Sequence, residues 1–156
     1  MARKRRYIKR AFESTGTNSD TSANIYVSML LSTAWQDLSA SAQCLYVVCK
    51  AQYYAEKSKP NDDPLCFTMS QAKWSGLYKL YKKSNAKGFY RDMAALIEHG
   101  FISCVESGAC TRTKSIYRFS AKWRDYGTPA FTISPAEMNT PMRKMYLKNG
   151  EKKPPA

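Results

Sequence analysis

Ser84-Asn85-Ala86-Lys87-Gly88-Phe89-Tyr90-Arg91-Asp92-Met93-Ala94-Ala95-Leu96-Ile97-Glu98-His99-Gly100-Phe101-Ile102 is the stretch on which the fold turns. Phe89, Met93, Leu96 and Ile97 stand at i, i+4, i+7 and i+8, which puts them on one side of a helix and makes that side core. Ser84 or Asn85 can open the helix, because a short polar side chain accepts one of the unpaired N–H groups of the first turn. Gly100 ends it after His99, as the residue that enters a left-handed conformation without a steric cost. Opposite the core side lie Ser84, Lys87, Arg91, Ala94 and Glu98, basic toward the N-terminal half and acidic at Glu98. His99, at the helix end, reads as a residue favoured there by the dipole rather than as a base.

Beyond Gly100 the period changes. Phe101 to Glu106 and Ser115 to Phe119 read as two strands, and Ser107-Gly108-Ala109-Cys110-Thr111-Arg112-Thr113-Lys114 has the glycine and polarity of a hairpin tip. Upstream, Ser39 is an N-cap for a helix from Ala40 to about Lys57. Its residues Ala42, Leu45, Val48, Cys49 and Tyr53 share a face, while Cys44, Tyr46 and Val47 carry apolar character round the sides, as in a central helix packed on several sides. Ile25 to Trp35 is apolar throughout and reads as a first helix or a strand leading into one. Lys59-Pro60-Asn61-Asp62-Asp63-Pro64 lies in a loop, Leu65 to Thr68 is a short strand, and Ser70 can cap a helix through Gln71, Ala72, Trp74 and Leu77. A basic, Tyr-rich turn follows, Tyr78 to Lys83.

The two ends differ from this middle. Residues 1–24 begin with Arg3, Lys4, Arg5, Arg6, Lys9 and Arg10 and continue as a Ser/Thr/Asn/Gly stretch, so they offer little apolar area and read as a flexible basic arm. Residues 127–156 are an irregular basic tail with room for a short helix near Pro135 to Lys148. One domain, 25–126, remains, of α+β class, with three to four helices and a two- or three-stranded antiparallel sheet. There is no internal repeat.

Composition narrows the function. The 156 residues are 44% hydrophobic and 13% aromatic, enough for a packed core. Twenty-five Lys and Arg against twelve Asp and Glu give a formal charge of +13, a surface that attracts polyanions and releases their counterions. The five cysteines are odd in number, form no CxxC pair and follow no secretory signal, which points to free thiols in a reducing cytoplasm. One histidine, no glycine-rich phosphate loop, no paired carboxylates and no nucleophile with a base argue against an enzyme, a metal site, a cofactor or a small-molecule substrate. The longest apolar runs are too short to span a membrane.

Within that frame the order helix, strand, helix, basic turn, helix, Gly and hairpin carries the functional reading. A helix presenting Lys87, Tyr90 and Arg91, with Ser84 and Asn85 at its start, suits the major groove of duplex DNA. Lys82 and Lys83 reach flanking phosphates, and Arg112 and Lys114 on the hairpin lie along the backbone or enter the minor groove. Arg3, Lys4, Arg5 and Arg6 supply a further arm. Base readout then falls to residues 84–99, and phosphate contacts to the wing, 107–114, and the arm.

Phe89-Tyr90-Arg91-Asp92-Met93 with Leu96-Ile97-Glu98-His99-Gly100-Phe101-Ile102 resembles the recognition helix and first wing strand of bacterial winged-helix proteins. Ala34-Trp35-Gln36-Asp37-Leu38-Ser39, with Ser41-Ala42 and Leu45-Tyr46, resembles helix one in a subgroup carried by plasmids, phages and integrative elements of Gram-positive bacteria. The N-terminal domain of plasmid replication initiators is similar. The resemblance spans roughly residues 25–123 and implies a winged helix-turn-helix that binds DNA in transcription control or in replication of a mobile element. Two other readings fit the same residues. A winged helix can use this surface to dock a protein, and Ile25 to Trp35 can pair two protomers as a homodimer. The basic and aromatic mixture also permits RNA.

Overall fold

The structure, a computed structural model, describes residues 23–55, 58–108 and 114–133. Most of the arm, including Arg3, Lys4, Arg5 and Arg6, lies outside the described residues, as do Cys110, Arg112 and the segment 135–148. The class is α+β. In chain order come α1 (Val27–Leu30), α2 (Thr33–Gln36), α3 (Ala40–Ala55), β1 (Cys66–Met69), α4 (Ala86–Glu98), β2 (Ile102–Glu106) and β3 (Ser115–Phe119). The strands form one antiparallel sheet in the order β1-β3-β2, with Phe67 opposite Tyr117 and Ile102 opposite Phe119. Helices α3 and α4 pack on each other, α3 against β1 and α4 against β2. No helix among the described residues is long and apolar enough to cross a membrane.

Three local readings change. The apolar run from Ile25 is two single turns rather than one helix or a strand. Ser32 divides them: its Oγ donates to the Met29 carbonyl, 2.6 Å, and accepts from the Trp35 N–H, 3.2 Å. One hydroxyl thus ends the first turn and caps the second. Residues Ala72–Leu77 form a wide π-type turn in place of an α-helix capped by Ser70. The Tyr78 N–H reaches back five residues to the Lys73 carbonyl at 2.9 Å, and the Ser75 hydroxyl donates to the Gln71 carbonyl at 3.0 Å. Within the loop, Pro60–Asp62 makes a short 3-10 turn, and β1 starts one residue later than expected, at Cys66.

Helix α3 begins as expected, with Ser39 Oγ accepting from the Ala42 N–H at 3.3 Å. It is packed on one side only. Ala42, Leu45, Tyr46, Cys49 and Gln52 are buried, while Cys44, Val47 and Tyr54 are exposed. The expectation of packing round the sides of α3 at Cys44 and Val47 is therefore corrected. Cys44 lies about 100–140° and Val47 about 160° round the helix from Leu45 and Cys49, and the sheet and α4 cover only the side of Leu45 and Cys49.

The core is aromatic. Phe101 lies edge-on to Trp35 and Tyr46, at 5.7 and 5.3 Å between ring centres, and stacks on Trp123 at 6.0 Å. Such pairs contribute about 0.5–1.5 kcal/mol each beyond the area they bury. The step from α4 into β2 is thereby anchored to α2, α3 and the turn Lys122–Asp125, which fixes the direction in which α4 presents its outer face.

Candidate nucleic-acid interface

Helix α4 is opened by Asn85, whose side chain accepts from the Gly88 N–H at 3.1 Å. The Asn85 oxygen is thus occupied in capping, as one of the two residues expected to open this helix, and the residue remains exposed. Phe89, Met93, Leu96 and Ile97 are all buried, as their spacing requires. That burial turns Ser84, Lys87, Arg91 and Glu98 outward, and all four are exposed. Lys82 and Lys83 are exposed just before the helix, Lys83 opening the 3-10 turn Lys83–Asn85 that leads into α4. Tyr90 is only half-buried and lies edge-on to Phe89 at 5.2 Å, so it sits at the rim of the core instead of standing free. Lys114 is exposed where β3 begins, next to the Ser115 that pairs with Met69. Arg118, by contrast, is committed to Asp63, Nε to Oδ2 2.8 Å.

Arg91 is held. Its Nε donates to Asp92 Oδ1 at 2.8 Å and its Nη2 reaches Ser41 Oγ on α3 at 3.4 Å, yet its side chain remains 59% exposed. Asp92 is 1% exposed and also accepts from the Tyr81 hydroxyl at 2.6 Å. The Tyr81 hydroxyl in turn lies 3.4 Å from the Ser41 carbonyl. Burial by itself would raise the Asp92 carboxyl, but hydrogen bonds from Arg91, Tyr81 and Ser41 outweigh it and hold it below the usual carboxylate range. For Tyr81, burial and the neighbouring Asp92 carboxylate both push the phenol up, so it stays a donor.

Asp92 escaped the sequence reading, although the signal was there. On the helical wheel position 92 falls beside 89 and 96, inside the apolar arc. A carboxylate inside that arc has to find partners. A second overlooked signal is charge segregation: residues 64–91 contain Lys73, Lys79, Lys82, Lys83, Lys87 and Arg91 and no carboxylate. Lys79 is exposed and belongs with the basic turn.

The network makes a pH-dependent prediction. Asp92→Asn removes the charge from hydrogen bonds worth about 1.5–3 kcal/mol when one partner is ionised, so a loss of about 2 kcal/mol is expected at neutral pH. The folded-state pKa lies below the unfolded value of about 3.9, so this stabilisation is complete above that value and is lost as pH falls through the folded one. Urea unfolding of both proteins should therefore show a constant gap from pH 7 to about 5 that closes below about 4. A gap that widens in acid would contradict the assignment.

No family model, curated protein or solved structure matches the chain.

Proposed function

We propose that the chain is a duplex-DNA-binding protein of the winged-helix type. In this reading α4 enters the major groove, the hairpin tip at 107–114 is the wing, and Lys82, Lys83 and Lys114 hold phosphates. Arg112 and the basic arm add to the phosphate contacts. The observation that carries it is the exposed cationic face of Lys82, Lys83, Lys87 and Arg91 on and before a helix whose opposite face is buried. The exposed side of such a helix is free to enter a groove that admits one helix. The element order from α3 to β3, with β1 paired to β3 rather than to β2, is compatible with a winged-helix layout and supports the same reading. The role is transcription control or replication of a mobile element, as the resemblance of residues 25–123 implies.

The phosphate and base classes separate by mutation. Lys82→Ala and Lys83→Ala each weaken all duplexes alike and lower the salt slope of log K by roughly one unit, as a lost phosphate contact does. Lys114→Ala behaves the same way, and Arg112→Ala either follows it or relaxes preference for A·T-rich flanks. Fluorescence anisotropy over a salt series measures each slope. Unchanged slopes for both Lys82→Ala and Lys83→Ala would remove the basic turn from the interface.

A second reading, docking of a protein, has its own observation. Tyr26, Val27 and Leu31 are 59, 69 and 71% exposed on and beside α1, an apolar surface through which two protomers could meet. Retention of a protein partner at high salt, with no binding of duplex DNA, would favour it.

A further inference from the structure

Arg91 and the lysines on the same surface are presented differently. Lys82 and Lys83 stand exposed on a turn, whereas the Arg91 guanidinium is fixed through Nε by a buried carboxylate and through Nη2 by a hydroxyl from another helix. The carboxylate is itself fixed, by the Tyr81 hydroxyl at 2.6 Å. Tyr81, 7% exposed, lies edge-on to Phe89 and to Trp74, so the support for Arg91 reaches into the core. Three residues from three parts of the chain, Ser41, Tyr81 and Asp92, thus support one guanidinium whose side chain is still 59% exposed.

Holding an arginine this way has a chemical consequence. A lysine ammonium on a flexible stem is a point charge that meets phosphate in many geometries. A guanidinium held through Nε and Nη2 keeps its plane, and a planar fork in the major groove matches the N7 and O6 acceptors of guanine. Fixing the fork beforehand removes the rotamer entropy that a free arginine would lose on binding. The 2.8 Å Nε bond to Asp92 and the longer 3.4 Å Nη2 contact to Ser41 together set that plane.

We infer that Asp92, Tyr81 and Ser41 are positioning residues that make Arg91 a reader of one guanine in the target site. The inference rests on the duplex-DNA reading above. It adds to it the identity of a base and a set of residues that never touch DNA yet set specificity.

The full chain is first used to select duplexes from a pool with a randomised core. The selected duplex and its single-base variants are then titrated over a salt series. Wild type should show one G·C pair whose replacement by A·T weakens binding by about 5- to 150-fold, the range for a bidentate contact. Arg91→Lys should abolish that discrimination. Asp92→Asn should reduce it at least about fivefold with an unchanged salt slope, since no phosphate contact is lost. Ser41→Ala and Tyr81→Phe should act in the same direction, and they decide the matter if Asp92→Asn does not fold by circular dichroism. A merely structural network would leave the G·C preference of the folded variants intact. Wild-type discrimination in folded Asp92→Asn, or in both Ser41→Ala and Tyr81→Phe, overturns the positioning role while leaving DNA binding standing. Absence of salt-dependent duplex binding by wild type overturns both.

Discussion

Phe89→Ala is expected to destabilise the protein by about 3–5 kcal/mol, the range for truncating a fully buried aromatic residue. Phe89 is 2% exposed and stacks on Trp74 at 4.6 Å and 13°. It also meets Tyr81 edge-on at 5.9 Å and Tyr90 at 5.2 Å. One ring therefore ties the π-type turn, the basic turn and α4 together. Removing it loses the transfer energy of the ring, leaves a cavity, and forfeits the aromatic pairs. Backbone collapse can recover little, because Trp74 and Tyr81 are held by other contacts. Against a total stability of about 5–15 kcal/mol, a loss of this size leaves a visible unfolded fraction at ordinary temperature. Phe89→Leu, which refills most of the volume, should cost roughly half as much. Urea denaturation monitored by tryptophan fluorescence measures both. A loss under about 1 kcal/mol for Phe89→Ala would mean that α4 is not anchored there.

Gly100→Ala is expected to cost about 2–4 kcal/mol, from two separable causes. The backbone at Gly100 has φ 77°, where an L side chain costs roughly 1–2 kcal/mol. In addition, a β-carbon there would lie 2.8 Å from the Trp123 nitrogen and 2.9 Å from the Lys122 carbonyl carbon. These are backbone atoms, and the Trp123 N–H donates to the Gly100 carbonyl at 3.1 Å, so neither side can yield without loss. Gly127 isolates the second cause. It has nearly the same φ, 78°, but nothing within 4 Å of an added β-carbon. Gly127→Ala should thus lose only the conformational part, about 1–2 kcal/mol. Equal losses at the two positions would show that the close approach to residues 122–123 is not present in solution.

How much of this was legible in the sequence depends on how far each element relies on neighbours. Helix α4 and its two ends were legible, because the period of Phe89, Met93, Leu96 and Ile97, the Asn85 cap and Gly100 all act within one element. The hairpin strands were legible for the same reason, and β3 falls where alternation and the following turn put it. The break at Ser32 was not. It depends on one hydroxyl bonding both backward and forward, which composition does not reveal. Nor was the π-type turn, since Gln71 to Leu77 satisfies a helical pattern equally well. At the candidate site the sequence located the cationic face but treated Lys87 and Arg91 as alike. Their difference arises from Ser41 and Tyr81, separated from Arg91 by 50 and 10 positions in the chain, and only the packing of α3 on α4 brings Ser41 within reach.

If the face of Lys82, Lys83 and Lys87 meets duplex DNA, with Lys82 and Lys83 on its phosphates and Lys87 in the groove, one titration should show it. The full chain and a combined Lys82→Ala, Lys83→Ala, Lys87→Ala variant, both verified as folded, are titrated against the same selected duplex and against RNA of equal length from about 50 to 200 mM salt. Wild type should prefer the duplex and lose affinity steeply with salt, and the variant should lose roughly two units of salt slope together with most of its affinity. Equal, salt-insensitive affinity of the two proteins for the duplex would contradict it.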